Sequence, residues 1–437
     1  MPPDSRNRQI LRLAIPNIIS NLSVPLLSAV DTALVGHLSE VYYIGAVAIG
    51  SMIFNFVYWG FGFLRMGTTG ITAQAFGQNN DADSFSVLMR SMLVALVSGV
   101  FLILLQVPVA KFSFYLVHAS EEVEFNARIY FNIRIFAAPA TLSLYAIQGW
   151  FLGMQNARFP LYITVLVNVI NIIFNLVFVL GFGMNSDGVA LGTVIAQYIG
   201  LIFSIALFAK FYSRMQIHFD LNRILDLVAL KRFFTINFDI FIRTLMLIFA
   251  FAFFTAKSAE LGDDLLAANT ILMQFWTLFA YGIDGFAFSA ESLIGKFLGS
   301  GDRKGMHEMI RLIFIWGVGL GIAFTVIFIL FGKNIVSVFT DNSELVELAM
   351  QFIVWTLFAP IVNSVCYIWD GIYLGATASK AMRNSTIIAT LLVYLPAYYL
   401  MIDLWGNHGM WFAMTLFMVA RGVSLSLMAR HHIYNIP

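Results

Sequence analysis

The sequence predicts an all-α, polytopic membrane protein with twelve transmembrane helices in two six-helix lobes, related by a pseudo-two-fold axis along the membrane normal. Three observations predict it. First, the 437 residues are 60% hydrophobic and only 11% charged. Soluble domains carry roughly 25% charged residues, and so few charges cannot cover a surface facing water. Second, the apolar runs are too long for barrel strands, and in lipid only helices and closed barrels satisfy their own backbone. Third, the chain repeats itself across a point near its middle.

The spans fall at residues 9–36, 42–75, 84–108, 123–152, 157–181, 188–210, 231–258, 265–297, 306–331, 344–374, 381–402 and 406–429. Several exceed the length needed to cross, which implies tilt or extension beyond the bilayer. A count of ten or eleven is the alternative, centred on 381–429. Basic residues set the orientation. One set of ends holds Arg6, Arg8, Arg12, Arg158, Lys210, Arg214, Arg223, Lys231, Arg232, Lys296, Arg303, Lys304, Arg311, Lys380, Arg383 and Arg430; the other holds only Lys111, Lys257 and Lys333. Both termini are therefore expected in the cytoplasm. The start, MPPDSRNRQILR, has no clear cleavage site and reads as a retained end rather than a signal peptide. The expected location is the inner (plasma) membrane, crossed many times.

The longest basic connection, KFYSRMQIHFDLNRILDLVALKR at 210–232, reads as a cytoplasmic linker between an N-terminal lobe, 1–209, and a C-terminal lobe, 233–437. Across it the chain matches itself at a shift of 222 residues: AFG (75–77) falls on FLG (297–299), Gly149–Gly153 on Gly371–Gly375, and Arg158 on Lys380. Later the shift slips to 221, where Gly188 meets Gly409. Six spans per half give the halves one orientation, a parallel repeat of the kind found in transporters. Glycine pairs such as Gly60/Gly62 and Gly67/Gly70 are expected to permit close helix packing.

Several function classes drop out. A net charge of +1 gives no nucleic-acid footprint. The single cysteine, Cys366, excludes an internal disulfide and any paired-cysteine metal or redox site. No GxxxxGK[ST] run marks a nucleotide site, and no Ser/His/Asp arrangement stands out. No enzyme, cofactor or metal site is expected.

Ionisable groups inside spans are costly in lipid and are functional candidates by default. Here they are Asp31, Arg65, Arg134, Asp239, Arg243, Asp284, Glu291, Asp370 and Arg421. Pairing among them to hold the bundle together is the plainer reading for most. Asp239 and Arg243, four apart, could meet on one helix face. Asp284 and Glu291, seven apart, share a face that Arg65 or Arg243 could satisfy. Asp31, in SAVDTALVGHL, has no base near it on its own helix, and Pro16 and Pro25 precede it, so the first span should bend. In the fifth span Asn168, Asn171 and Asn175 line one face. They either bond between helices or line a polar cavity opposite Asp31, with Thr193, Tyr145 and Gln148 nearby. One acid among neutral oxygens suits a proton or a monovalent cation; a divalent ion wants more carboxylates. Burial favours the protonated acid and neighbouring donors favour the charged one. An acid balanced between the two can load a proton on one side and release it on the other.

The stretches VDTALVGHL (30–38), FLRMGTTGITAQAFG (63–77), FLGMQNARFP (151–160), NFDIFIRTL (237–245), YGIDGFAFSAE (281–291), DGIYLGATASKAMRNS (370–385), WGNHGMW (405–411) and ARG (420–422) run almost end to end. In them the chain resembles the multidrug and toxic compound extrusion (MATE) family, and within it the DNA-damage-inducible F (DinF) branch. The resemblance implies a V-shaped, two-lobed antiporter that exports organic, often cationic or amphipathic compounds in exchange for H+ or Na+, by alternating access. Asp31 matches the family's first-span acid, Asn171 its fifth-span asparagine and Thr193 its sixth-span threonine. The family's usual fifth-span acid is here Asn175, which removes a charge and leans the coupling ion to H+ over Na+. Asp239, Arg243, Asp284, Glu291 and Asp370 remain candidates for a substrate or polar cavity. The expected partners are a small organic substrate, the ion and the bilayer; a monomer is expected. The alternative is a lipid-linked precursor flippase of the same superfamily, which would need Arg65, Arg134, Arg243 and Arg421 to line its cavity.

Overall fold

The structure, a computed structural model, describes residues 5–435 apart from 36–39, 41, 118, 214 and 216–219; the side chains of 26–29, 31–33 and 35 also lie outside the described set. The chain divides into two units, one formed by Ile19–Arg232 and the other by Phe233–Pro437 together with Met1–Ile18. We call them the N-terminal and C-terminal units. The division passes through the first helix, α1 (Arg6–Val35).

The N-terminal unit continues with α2 (Tyr42–Gly60), α3 (Phe63–Gly77), α4 (Asp81–Leu104), α5 (Gln106–Leu116), α6 (Glu121–Arg134), α7 (Ala138–Gly153), α8 (Arg158–Leu176), α9 (Ser186–Tyr212) and the short α10 (Leu221–Ile224). The C-terminal unit holds α11 (Leu227–Glu260, entering from just before the boundary), α12 (Asp263–Gly299), α13 (Arg303–Phe339), α14 (Ser343–Gly375), α15 (Ser379–Ile388), α16 (Leu395–Trp405) and α17 (Asn407–Ala429). Among the described residues, 11 segments are long and apolar enough to cross a bilayer. They match the second to twelfth expected spans in order. The remaining one, α1, has 30 residues and continues as helix through Pro16 and Pro25; its side chains are described only in part.

The repeat read from the sequence has a physical counterpart inside each unit. A Cβ on Gly149 of α7 would come within 2.5 Å of the Arg65 carbonyl of α3, and one on Gly371 of α14 within 2.2 Å of the Ala287 carbonyl of α12. One turn on, Gly153 faces the Thr69 carbonyl at 2.8 Å and Gly375 the Glu291 carbonyl at 2.5 Å. Gly99 packs on Pro139 in one unit as Gly321 packs on Pro360 in the other. Helices this close need glycine, because any side chain would displace backbone. The breaks between helices recur too. Asn80 and Asp302 cap α4 and α13, and Ser120 and Asn342 cap α6 and α14, each side chain accepting from a first-turn amide. Gln155 (φ 62°) and Thr377 (φ 53°) end α7 and α14 in the left-handed region. Gly62, by contrast, touches the Trp59 carbonyl of its own turn, so Gly60 and Gly62 mark the break between α2 and α3 rather than a helix crossing.

The segment between the halves is ordered against the N-terminal unit where it is described. Asp220 caps α10, and the guanidinium of Arg90 on α4 takes its last carbonyls, with Nε donating to Ile224 O at 2.8 Å and Nη2 to Arg223 O. Arg232 donates to Gln74 Oε1 at 3.0 Å. The expected lobes, 1–209 and 233–437 about a linker at 210–232, compare with a contact division that gives this segment to the N-terminal unit and Met1–Ile18 to the C-terminal one. The cause is that Arg90 and Gln74 hold the linker, while Ser289 Oγ reaches Ile10 O and Gly285 admits the Ala14 carbonyl.

Cys366, the chain's one cysteine, is fully buried. A thiol-reactive dye therefore reports its exposure on heating. Gly371→Val should force α14 off α12, cost about 1–3 kcal/mol or more and lower the temperature of dye labelling. Gly319→Ala on α13, whose added Cβ meets nothing within 4 Å, should leave that temperature unchanged or slightly raised.

Candidate functional site

In the N-terminal unit two of the three asparagines of α8, Asn171 and Asn175, form a connected line with Thr193. Asn175 Nδ2 donates to Asn171 Oδ1 at 3.1 Å, and Asn171 Nδ2 donates to Thr193 Oγ1 on α9 at 3.0 Å. Thr193 Oγ1 donates in turn to the Val189 carbonyl at 3.0 Å. One turn earlier, Asn168 Nδ2 donates to Ser23 Oγ on α1 at 3.1 Å. Asn171 and Asn175 are buried. Gly192 on α9 makes room for the line, since a Cβ there would lie 2.1 Å from Asn175 Oδ1. Just past Asn175 the helix loosens into a π-helical stretch, Val177–Gly181, a geometry frequent at functional sites. These bonds join α8 to α9, and Asn168 to Ser23 joins α8 to α1. Neutral amide and hydroxyl groups of this kind can stabilise a proton or a single monovalent cation on a neighbouring acid.

The structure brings Asn171, Asn175 and Thr193 together as expected, and adds Ser23, which lay unmarked in the run before Pro25. Asp31 lies on α1, but its side chain is outside the described residues. Tyr145, on α7, has Arg65 and Arg134 as electrostatic neighbours. Gln148 is half-buried on the same helix.

The C-terminal unit carries its charges differently. Asp370 on α14 accepts on Oδ2 from two guanidiniums, Arg243 of α11 and Arg421 of α17, the latter at 2.5 Å. All three are nearly fully buried, at 8% exposure or less. Arg421 also lies over the Phe417 ring, 5.4 Å from its centroid. Asp239 bonds Arg383 Nη1 at 2.5 Å and Ser379 Oγ at 2.9 Å. The suggested pairing of Asp239 with Arg243 is therefore corrected. The i, i+4 spacing brings the two Cβ atoms near each other, but each side chain finds a partner on another helix. Nor is Arg243 the partner of Asp284 or Glu291, since its ion pair is Asp370. Glu291 is buried and Asp284 half-buried on α12. The stretch WGNHGMW resolves into a further buried network. Asn269 and Asn407 exchange amide bonds at 2.7 and 2.9 Å, and Trp411 Nε1 donates to Asn269 Oδ1 at 2.7 Å. Among the described residues no group of three or more metal-type ligands converges.

Removing one partner from a buried ion cluster strands the rest, at about 3–5 kcal/mol. Asp370→Asn should thus lower the Cys366 labelling temperature more than Asp239→Asn, whose partner Arg383 keeps a quarter of its side-chain surface exposed. Replacing all three, Arg243→Met, Asp370→Leu and Arg421→Met, should recover most of the loss.

Comparison with known proteins agrees with this architecture. The MatE family model matches residues 16–177 and 240–400. DNA damage-inducible protein F of Escherichia coli K12 is 35% identical over 431 residues, covering 99% of this chain and 94% of that one. A probable multidrug resistance protein NorM of Bacillus cereus is 24% identical over 94% of this chain and 91% of its own. Among solved structures, a MATE protein in a bent conformation superposes with a TM-score of 0.87 at 18% identity, over 97% of this chain and 95% of that one. A multidrug resistance MATE transporter of the MOP superfamily, outward-facing, does so at 0.86 and 18%, with the same coverage. The matched model spans both units and the 35% relative runs nearly end to end, so this chain is a multi-pass membrane transporter of the MATE family, and not an enzyme.

Proposed function

We propose that the protein is a secondary antiporter that exports organic, often cationic or amphipathic compounds in exchange for H+, with Asp31 as the group that takes up and releases the proton. The observation that carries this reading is the set of neutral donors and acceptors, Asn168, Asn171, Asn175 and Thr193, on the helices that pack in the same unit as the Asp31 end of α1. It can stabilise either state of one acid by turning its amides. It offers no second carboxylate where Asn175 stands, which favours H+ over Na+. The multidrug activity named for the Bacillus relative and for the outward-facing MATE transporter supports the substrate class. Both termini are placed in the cytoplasm on the lysine and arginine asymmetry. A monomer suffices, since each chain holds both repeats.

The mechanism then follows alternating access. With Asp31 protonated the N-terminal unit carries no negative charge at the amide line, and a cationic compound is released. When Asp31 gives up its proton to the cytoplasm, the carboxylate attracts the next cation. Substrate and proton compete for one charge, so their movements are coupled. The flippase alternative needs four arginines free to hold a pyrophosphate. Arg243 and Arg421 are spent on Asp370, which favours the antiporter.

In proteoliposomes with an imposed pH gradient, a fluorescent organic cation should move against its own gradient. Asp31→Asn should abolish this movement, and Asn171→Ala should slow it about tenfold, the effect of roughly 1.4 kcal/mol lost at one hydrogen bond. Substituting choline for Na+ should change nothing. Full coupled transport by Asp31→Asn, or collapse in choline, would overturn the reading.

A further inference from the structure

The short helix α10 and the first turn of α11 present apolar side chains outward, among charged ones. Leu221, Leu225, Leu227 and Val228 are exposed, the last two at 81% and 77%, while Ile224 between them is buried. The stretch is held on the N-terminal unit from beneath. Ile224 packs inward, and the buried Arg90 of α4 grips the Arg223 and Ile224 carbonyls.

Two observations set the depth of this stretch in the membrane. Arg90 is followed by 20 uncharged residues, 91–110, in α4 and the start of α5. About 20 helical residues cross the hydrocarbon core, so Arg90 marks the level where hydrocarbon gives way to headgroups. The carbonyls it holds lie at that level with it. On α11, the rise from Lys231 to Lys257 is about 39 Å at ~1.5 Å per residue, close to the ~40–45 Å of a bilayer with its headgroups. Lys231 is thus a headgroup-level residue, and Leu227 and Val228 lie one turn from it.

The charges around these apolar groups favour one sign of partner. Asp220 accepts on Oδ1 from the Asn222 and Arg223 amides, and Asp226 on Oδ2 from the Ala229 amide at 2.8 Å. Both acids turn back on their own chain. Asp83 and Asp226 are the acidic neighbours of Arg90. Arg223, Lys231 and Arg232 are exposed, and Arg232 donates to a neutral group, Gln74 Oε1. Outward cations interleaved with outward leucine and valine, at headgroup level, fit the anionic face of a leaflet. We propose that residues 220–232 form an interfacial anchor for anionic phospholipid, with Leu227 and Val228 among the upper acyl chains and Arg223 and Lys231 on headgroup phosphates. The connection between the two repeats is thereby seated on the leaflet. The anchor stands whether or not the chain exchanges cations for protons.

The full chain carrying Leu227→Cys is labelled with an environment-sensitive fluorophore, Cys366 being buried, and reconstituted in phosphatidylcholine vesicles. Ser300→Cys, exposed just past α12, gives the reference for a probe in water. Trace lipid with a nitroxide high on its acyl chain is added, with either a phosphatidylglycerol or a phosphatidylcholine headgroup. The probe at 227 should be quenched by the nitroxide and be about threefold or more better shielded from acrylamide than the probe at 300, as an inserted side chain is. Phosphatidylglycerol should quench at about fivefold lower mole fraction than phosphatidylcholine, roughly the gain from one cation at an anionic headgroup. Arg223→Gln with Lys231→Gln should bring the two lipids level. Equal acrylamide quenching at 227 and 300 overturns the proposal, because the segment then stands in water. Shielding from acrylamide and nitroxide alike overturns it too, because protein, such as a second copy, then covers the face. Equal quenching by the two lipids without the charge substitutions removes the anionic partner and overturns it. If the doubly substituted chain does not reconstitute, about 0.5 M salt takes its place, since salt screens exposed charges. A headgroup preference that salt leaves unchanged overturns the proposal equally.

Discussion

Everything in this protein depends on how closely α7 approaches α3, and α14 approaches α12. At both crossings a glycine lies where any side chain would strike a backbone carbonyl, and one turn later a second glycine does the same. In lipid there is no hydrophobic drive to press two helices together, so association comes from van der Waals contact and from polar groups that find partners. Backbone-to-backbone contact is the closest form of that packing. Once α3–α7 and α12–α14 are fixed, the neighbouring helices α4 and α13 are seated by the same rule, through Gly99 on Pro139 and Gly321 on Pro360.

On this repeated frame the two units carry different buried polar groups. The N-terminal unit has neutral amides and hydroxyls in a line, and one arginine among hydroxyls and aromatic rings. The C-terminal unit has two arginines closed on one aspartate, and another aspartate closed on Arg383 and Ser379. Closed charges are costly to open and hold helices in register; open polar lines respond to a proton or an ion. The repeat thus supplies two similar scaffolds whose buried polar residues differ.

The fold was legible because it rests on length, apolarity and glycine, all of which a sequence displays directly. Spans two to twelve lie where the apolar runs predict them, and the 222-residue shift reappears as matching caps, left-handed turns and glycine contacts. The amide line was legible because three asparagines at spacings of three and four must share a face. The ion pairs were not. Nothing in the spacing of Asp239 and Arg243 says that each will prefer a helix more than a hundred residues away, and Arg383 read as a loop cation. Arg90 was passed over for a different reason: its partners are backbone carbonyls, which every residue has and no sequence motif marks.

The first turns of α1 belong to the C-terminal unit, tied there by Ser289 to Ile10, by the Ala14 carbonyl beside Gly285 and by Trp316 Nε1 donating to Asn7 Oδ1 at 3.0 Å. A polypeptide cut within the connecting strand would thus yield two pieces of unequal completeness. The leading fragment would carry a strip it has no use for, and the trailing one would lack it. Made as separate chains, the two would be compelled to reassemble by exchange of that strip, as a swapped dimer does.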